Sequence, residues 1–255
     1  MLWTKMSKAA ALTSFLLIVA MPVATLQAEP IIIKYEGANS QNYKPGKKLL
    51  ATAKISLKAG EVLTVLDERG TRTLRGPGTF SASSAVSAGN VSNTNLATLI
   101  KTSSVRRART GAVRGESPPL QTQLSPNLWY VDISKGAKFC VADFQSLQLW
   151  RSDASKTLPP ITIAGTSGGT ATVNFGKGRS TVRWPATIIP VDGGKYIISG
   201  PGGADKISIE MIKVDVTGEE RLDAMATKLL DRGCQAQSEL LAATFAQTEP
   251  APVGG

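Results

Sequence analysis

Gly165-Thr166-Ser167-Gly168-Gly169 fits the G-x-S-x-G pattern that presents a serine as a nucleophile. A serine hydroxyl attacks only when a base within hydrogen-bond reach takes its proton. The usual base is missing, because the 255 residues contain no histidine. A Ser–Lys dyad is the remaining chemistry, yet no lysine stands in a recognisable motif with Ser167. Two glycine-containing turn dipeptides between strands explain the segment more simply. Oxygen ligands for a metal are equally sparse. Asp67-Glu68-Arg69-Gly70 and Asp192-Gly193-Gly194 read as turns and lack the alternating donors of a calcium loop. Gly200-Pro201-Gly202-Gly203 precedes a strand pattern rather than the helix a phosphate cradle needs, and no Walker pattern occurs. The residues therefore assign no catalytic group, no metal and no cofactor, and the expectation is a non-enzymatic protein.

Three further sets of side chains carry chemistry. Cys140 and Cys234 are the only cysteines. In an oxidising compartment an even count reads as a disulfide; two free buried thiols are the alternative. Arg106, Arg107, Arg109 and Arg114 lie within nine residues and could grip phosphate or carboxylate polymers bidentately. A solvated, protease-sensitive linker is the simpler reading. Trp129, Tyr130, Trp150 and Trp184 could line a carbohydrate platform, but they fall in strand patterns where such rings usually pack into the core.

The N-terminus bears on the compartment. Lys5 and Lys8 precede the apolar run Ala9–Met21, Pro22 breaks it, and Leu26-Gln27-Ala28 offers a cleavage site. Residues 1–28 read as a signal peptide, with an uncleaved anchor as the alternative. No cysteine follows the apolar run closely, which argues against a lipoprotein anchor. Cleavage removes two positive charges and no acid, leaving +8 of the formal +10. A basic secreted chain is drawn to anionic surfaces or acidic partners, and secretion argues against nucleic acid. The expected location is the periplasm.

The scaffold reads as a succession of short strands. Ile31–Tyr35 is β-branched, Leu49–Leu57 alternates in part, and Lys58-Ala59-Gly60-Glu61 is a turn. Val62–Leu66 and Thr71–Arg75 flank a hairpin turn at Asp67-Glu68-Arg69-Gly70, and Gly76-Pro77-Gly78 ends the second strand. The run Leu57-Lys58-Ala59-Gly60-Glu61 through Asp67, then Gly70 and Gly76-Pro77-Gly78-Thr79-Phe80, resembles the periplasmic FecR-type domain. The resemblance spans roughly residues 46–80. It implies an all-β, non-enzymatic module that makes protein contacts in the periplasm. Sensor members of that family carry a cytoplasmic segment and a membrane span before the domain; here only a signal peptide precedes it.

Ser81–Asn95 reads as loop or edge, and Leu96–Val105 has weak helical spacing. Residues 105–126, basic and then proline-containing, read as a linker. Strand patterns return at Leu128–Ile133, Ala137–Ala142, Leu147–Arg151, Ile161–Ala164, Ala171–Phe175, Ser180–Trp184, Lys195–Ser199 and Ile207–Ile212. Their spacing suits a β-sandwich. Thr217 reads as the N-cap of an amphipathic helix through Leu222, Met225, Leu229 and Leu230; Gly233 either caps it or lies within it. The expected fold is mainly β: a FecR-like module over 29–104, the linker, and a β-sandwich-like domain with a C-terminal helix over 127–247. Residues 248–255 read as a disordered tail. The expected function is a periplasmic interaction or scaffold protein with an envelope protein as partner. The alternative is an accessory protein that binds polysaccharide or another anionic polymer.

Overall fold

The computed structural model describes residues 29–38, 40–82, 93–101, 124–155, 157–200, 203, 205–218 and 221–246. The stretch read as a signal peptide, the Arg106–Arg114 cluster, most of the stretch read as a linker and the stretch read as a tail lie outside the described residues.

The chain is mainly β. In the first unit, β1 (Ile31–Glu36), β3 (Val62–Asp67) and β4 (Gly70–Arg75) form an antiparallel sheet in the order β1-β3-β4, and β2 (Lys54–Leu57) pairs with β5 (Gly78–Ser81). Alternation along the strands sorts the side chains. Ile32, Leu63 and Val65 face a core shared with Ile55 and Leu57 of β2. Ile31, Ile33 and Leu66 point the other way, into a second core. Strand β2 is shorter than the expected Leu49–Leu57, because residues 51 and 52 turn before it. The sequence assigns no strand to β5, with Gly76-Pro77-Gly78 read as a stop and Ser81 as the start of loop or edge; Gly78 both ends the turn and begins a strand that pairs Phe80 with Ile55.

The glycine punctuation has a steric cause. A Cβ on Gly76 would collide with the Lys58 carbonyl oxygen, so only glycine fits there. The Gly76 amide donates to the Glu61 carbonyl (2.9 Å), and the Glu61 carboxylate accepts the Lys58 amide (2.7 Å). The Lys58–Glu61 turn and the Gly76–Gly78 turn are thus locked together. At the β3–β4 hairpin, the buried Asp67 carboxylate accepts the Arg69 amide (2.8 Å) and pairs with the Arg69 guanidinium (3.0 Å).

The second unit is sandwich-like. One sheet runs β10 (Thr170–Val173), β9 (Ile161–Gly165), β12 (Lys195–Ser199), β13 (Ile207–Lys213), β7 (Lys138–Val141), and a smaller one runs β11 (Thr181–Arg183), β8 (Gln148–Trp150), β6 (Tyr130–Asp132). Val131 and Leu149 of the small sheet meet Ile163, Ile198, Ile209 and Met211 of the large one. Two pairings, β13–β7 and β6–β8, are parallel.

Helix α1 (Asn93–Ile100) starts and stops earlier than the weak periodicity suggested. Leu96 and Leu99 are buried, and the Trp129 indole takes the Ile100 carbonyl (2.8 Å) at its end. At the C-terminus the single expected helix is two, α2 (Leu222–Asp231) and α3 (Gln235–Thr244). Thr217 does not cap α2: its amide donates to Asp215 (2.9 Å) in a preceding turn, and Arg221 holds the cap position. Gly233 ends α2 at φ +78. Its amide reaches Leu230 and that of Cys234 reaches Leu229, the paired bonds of a Schellman cap. This turn aims Cys234 at Cys140, and the two form a disulfide. Helices α2 and α3 pack against β1 and also reach β3, β4 and β7, so one core joins both units.

Candidate interaction groove

Two glutamines of α3 stitch the units together. The buried Gln237 acts as a substitute strand along the edge of β7. Its carbonyl accepts the Cys140 amide (2.6 Å), and its amide group donates to the carbonyls of Cys140 (2.9 Å) and Leu128 (2.8 Å). Gln235 donates to the Ile33 carbonyl of β1 (2.8 Å) and to Glu239 (3.0 Å). With the disulfide, these bonds hold α3 as a fixed wall between a strand of each unit.

Above that wall lies a groove of about 530 Å³. Thr71 and Thr73 of β4 and Ile33 of β1 line one side, Ala236, Ala242 and Ala243 give a smooth helical side, and Tyr130, Phe139 and Trp150 close the third. The charges in it are largely neutralised in pairs. Lys34 bonds Glu36 (2.7 Å), and that carboxylate raises the lysine pKa while its own is lowered. Lys135 approaches Asp132 (3.8 Å). Burial pushes the Tyr130 phenol up, so it stays neutral at physiological pH. The described residues hold no group of three His, Cys, Asp or Glu suited to a metal.

The lip of the groove is the outer edge of β4, which pairs with no strand among the described residues. The β3–β4 hairpin has two loop residues, so Arg72 and Leu74 turn their amides to β3 while Thr71, Thr73 and Arg75 turn theirs outward. The first outward amide is taken: Thr71 donates to the Phe245 carbonyl (3.0 Å), and Thr71 forms a parallel bridge with Ala246. Thr73 has no backbone partner on that side among the described residues. Thr71 is 2% exposed, and its hydroxyl has no hydrogen-bond partner among the described residues.

The residues singled out from sequence are scattered. Ser167 is exposed at the β9–β10 hairpin tip, where Gly168 and Gly169 have positive φ and the Gly165 amide closes on the Gly169 carbonyl (3.0 Å). The adjacent Lys195 presents its carbonyl to Thr166 (3.1 Å). Asp192 accepts the Lys213 amide (2.7 Å) in a turn. Trp129, Trp150 and Trp184 are buried, so they form no exposed platform; Trp184 meets Tyr196 edge-on at 5.1 Å. The arginine cluster lies outside the described residues, but its flanks converge: Asn127 donates to the Lys101 carbonyl (2.8 Å), and the Leu128 amide to the Leu99 carbonyl (3.0 Å).

Sequence reasoning missed the groove, because it forms only when α3 reaches across two sheets. One signal was present. Cys234, Gln237, Ser238, Leu241 and Phe245 share one helical stripe, and two polar residues inside it mark a side chain that must find buried partners. No described helix is long and apolar enough to cross a membrane. The chain matches no protein-family model, no curated protein and no solved structure.

Proposed function

We propose that the chain is a non-enzymatic periplasmic interaction or scaffold protein, with a FecR-like module over roughly residues 46–80, that receives an extended segment of an envelope protein. The observation that supports this reading is the groove with an outward-facing strand edge at its lip. Backbone groups along such an edge supply affinity to an added strand, and the adjoining apolar walls select its side chains. The Gly76 and Glu61 contacts hold β4 in place, and the α3 glutamines and disulfide hold the opposite wall. The site is therefore preorganised, which lowers the ordering cost of binding.

The formal charge of +10 favours a second reading, attachment to an anionic envelope polymer through the arginine cluster. Ionic strength separates the two, since exposed charge–charge attraction is screened over about 8–10 Å at ordinary salt. The test is capture by the mature protein from a detergent-solubilised envelope extract at low and moderate salt. A discrete protein retained at both salts is the expected result. Retention of acidic glycan or lipid alone, lost at moderate salt, would replace this reading with the second.

A further inference from the structure

Between Glu36 and Glu61 the chain carries Lys44, Lys47, Lys48, Lys54 and Lys58, and no acid. All of these lysines are exposed. Every ion pair among the described residues lies elsewhere. Uncompensated charge of one sign sets up a surface potential that gathers anions. Among these lysines stands Leu50, which is 66% exposed. We propose that this lysine face, with Leu50 in it, docks the protein onto an anionic lipid bilayer.

The fold gathers these residues from a loop and a strand. The Gly46 amide donates to the Ile32 carbonyl (2.8 Å), the Ile32 amide to the Lys47 carbonyl (2.9 Å) and the Leu49 amide to the Pro30 carbonyl (2.8 Å). Residues 46–49 thus run along β1. The Tyr43 hydroxyl donates to the Ser56 carbonyl (3.0 Å), which sets the loop beside β2, and its ring lies 5.0 Å from that of Tyr35. The Lys47 ammonium donates to the Asn42 carbonyl (3.0 Å) in the same loop. Along β2, alternation turns Ile55 and Leu57 into the core and leaves Lys54 and Ser56 outward, with Lys58 exposed just beyond.

Leu50 favours a lipid surface over a soluble polyanion. Its neighbour Leu49 is buried, whereas Leu50 is turned out in a turn closed by the Ala53 amide on the Leu50 carbonyl (2.8 Å). A charged polymer in solution gains nothing from an exposed leucine. A bilayer does: the lysines meet headgroup phosphates, and the apolar side chain beside them enters the acyl boundary. These backbone bonds already fix the segment, so docking has little chain to order. Residues 46–49 border β1, at the opposite edge of the β1-β3-β4 sheet from β4. Docking there leaves the β4 edge open, and the inference stands independently of the groove.

The test is co-sedimentation of the mature protein, residues 29–255, with vesicles of phosphatidylcholine alone and of phosphatidylcholine and phosphatidylglycerol in equal parts. Binding to the anionic vesicles and not to the neutral ones is expected. Each lysine near such a surface contributes roughly fivefold. The triple variant Lys44→Gln, Lys47→Gln, Lys54→Gln should therefore bind at least about tenfold more weakly. A control triple, Lys177→Gln, Lys195→Gln, Lys206→Gln, removes the same charge from exposed positions of the second unit and should lose less than about threefold. Equal losses in the two triples would overturn the proposal, because net charge alone would then account for binding. Leu50→Ser should weaken vesicle binding about fivefold and leave binding to dextran sulfate unchanged. Capture by dextran sulfate with no vesicle binding would overturn the proposal in favour of a soluble polymer. Leu50→Trp reports the docking directly, since Trp129, Trp150 and Trp184 are buried. Its emission should shift to the blue on anionic vesicles, and an unshifted spectrum from vesicle-bound protein would also overturn the proposal.

Discussion

Gln237 concentrates the energetics of the groove wall in one side chain. It is 3% exposed and satisfies one amide and two carbonyls. Replacing it with alanine strands all three, and buried unsatisfied groups cost about 1–3 kcal/mol each before relaxation and water entry. Gln237→Ala should lower stability by ~2–4 kcal/mol in urea unfolding with the disulfide intact. Gln235→Ala loses a single backbone bond at a half-buried position and should cost only ~1 kcal/mol. Equal effects would show that Gln237 does not act as the substitute strand. Single residues also set the pH response. The Gln145 amide lowers the Asp143 pKa, and the Thr217 amide lowers that of Asp215. For Asp223, burial works upward, but the Arg221 hydrogen bonds and charge prevail and the pKa is lowered. Carboxylates with depressed folded pKa values stabilise the protein above their unfolded value of 3.8, and that contribution disappears as pH falls through the folded values. The chain has no histidine, the one side chain whose ordinary pKa lies between about 5 and 8. Thermal midpoints should therefore be flat from pH 8 to about 5 and fall below about pH 4. A sharp change near pH 6.5 would contradict this.

At the level of elements, the disulfide joins β7 to the N-cap residue of α3 across 94 residues. Both sulfurs are on fully buried residues. Under native conditions a thiol reductant should leave the bridge intact, and reduction should follow only when urea opens the core. The Cys140→Ala, Cys234→Ala double variant should lose about 2–5 kcal/mol, measured in the same urea titration. Rapid reduction in buffer would mean that α3 is loosely held. The strands were largely legible because β-branched alternation and Gly/Pro punctuation are local signals: β3, β4, β12 and β13 lie close to where their patterns place them. The C-terminal boundary was not. The sequence pattern places the helix start at Thr217, whereas the Asp215 turn keeps Thr217 out of the helix and the first buried residue of α2 is Leu222. β5 was hidden for a related reason, since its partner among the described residues is β2, more than twenty residues earlier.

Across the whole molecule, the described residues before 102 and after 123 are joined by a core that neither set builds alone. Ile31, Ile33 and Leu66 supply one side, Leu128, Trp129 and Cys140 the other, and Met225, Leu229 and Leu241 fill the space between. No periodicity could reveal this, because it depends on a C-terminal segment returning to the first strand of the chain. The groove and the β4 edge follow from that return, which is why the candidate site was illegible while most of its scaffold was not. The measurement that tests the account most directly is the affinity of the captured envelope protein for two edge variants. Thr73→Pro removes the outward amide of β4 and spares every β3–β4 bond. Thr172→Pro does the same on β10, whose edge lies at the far end of the other sheet. The account predicts at least a tenfold loss of affinity for Thr73→Pro and none for Thr172→Pro, with unfolding midpoints near the parent for both. Unchanged binding by a folded Thr73→Pro protein would contradict it.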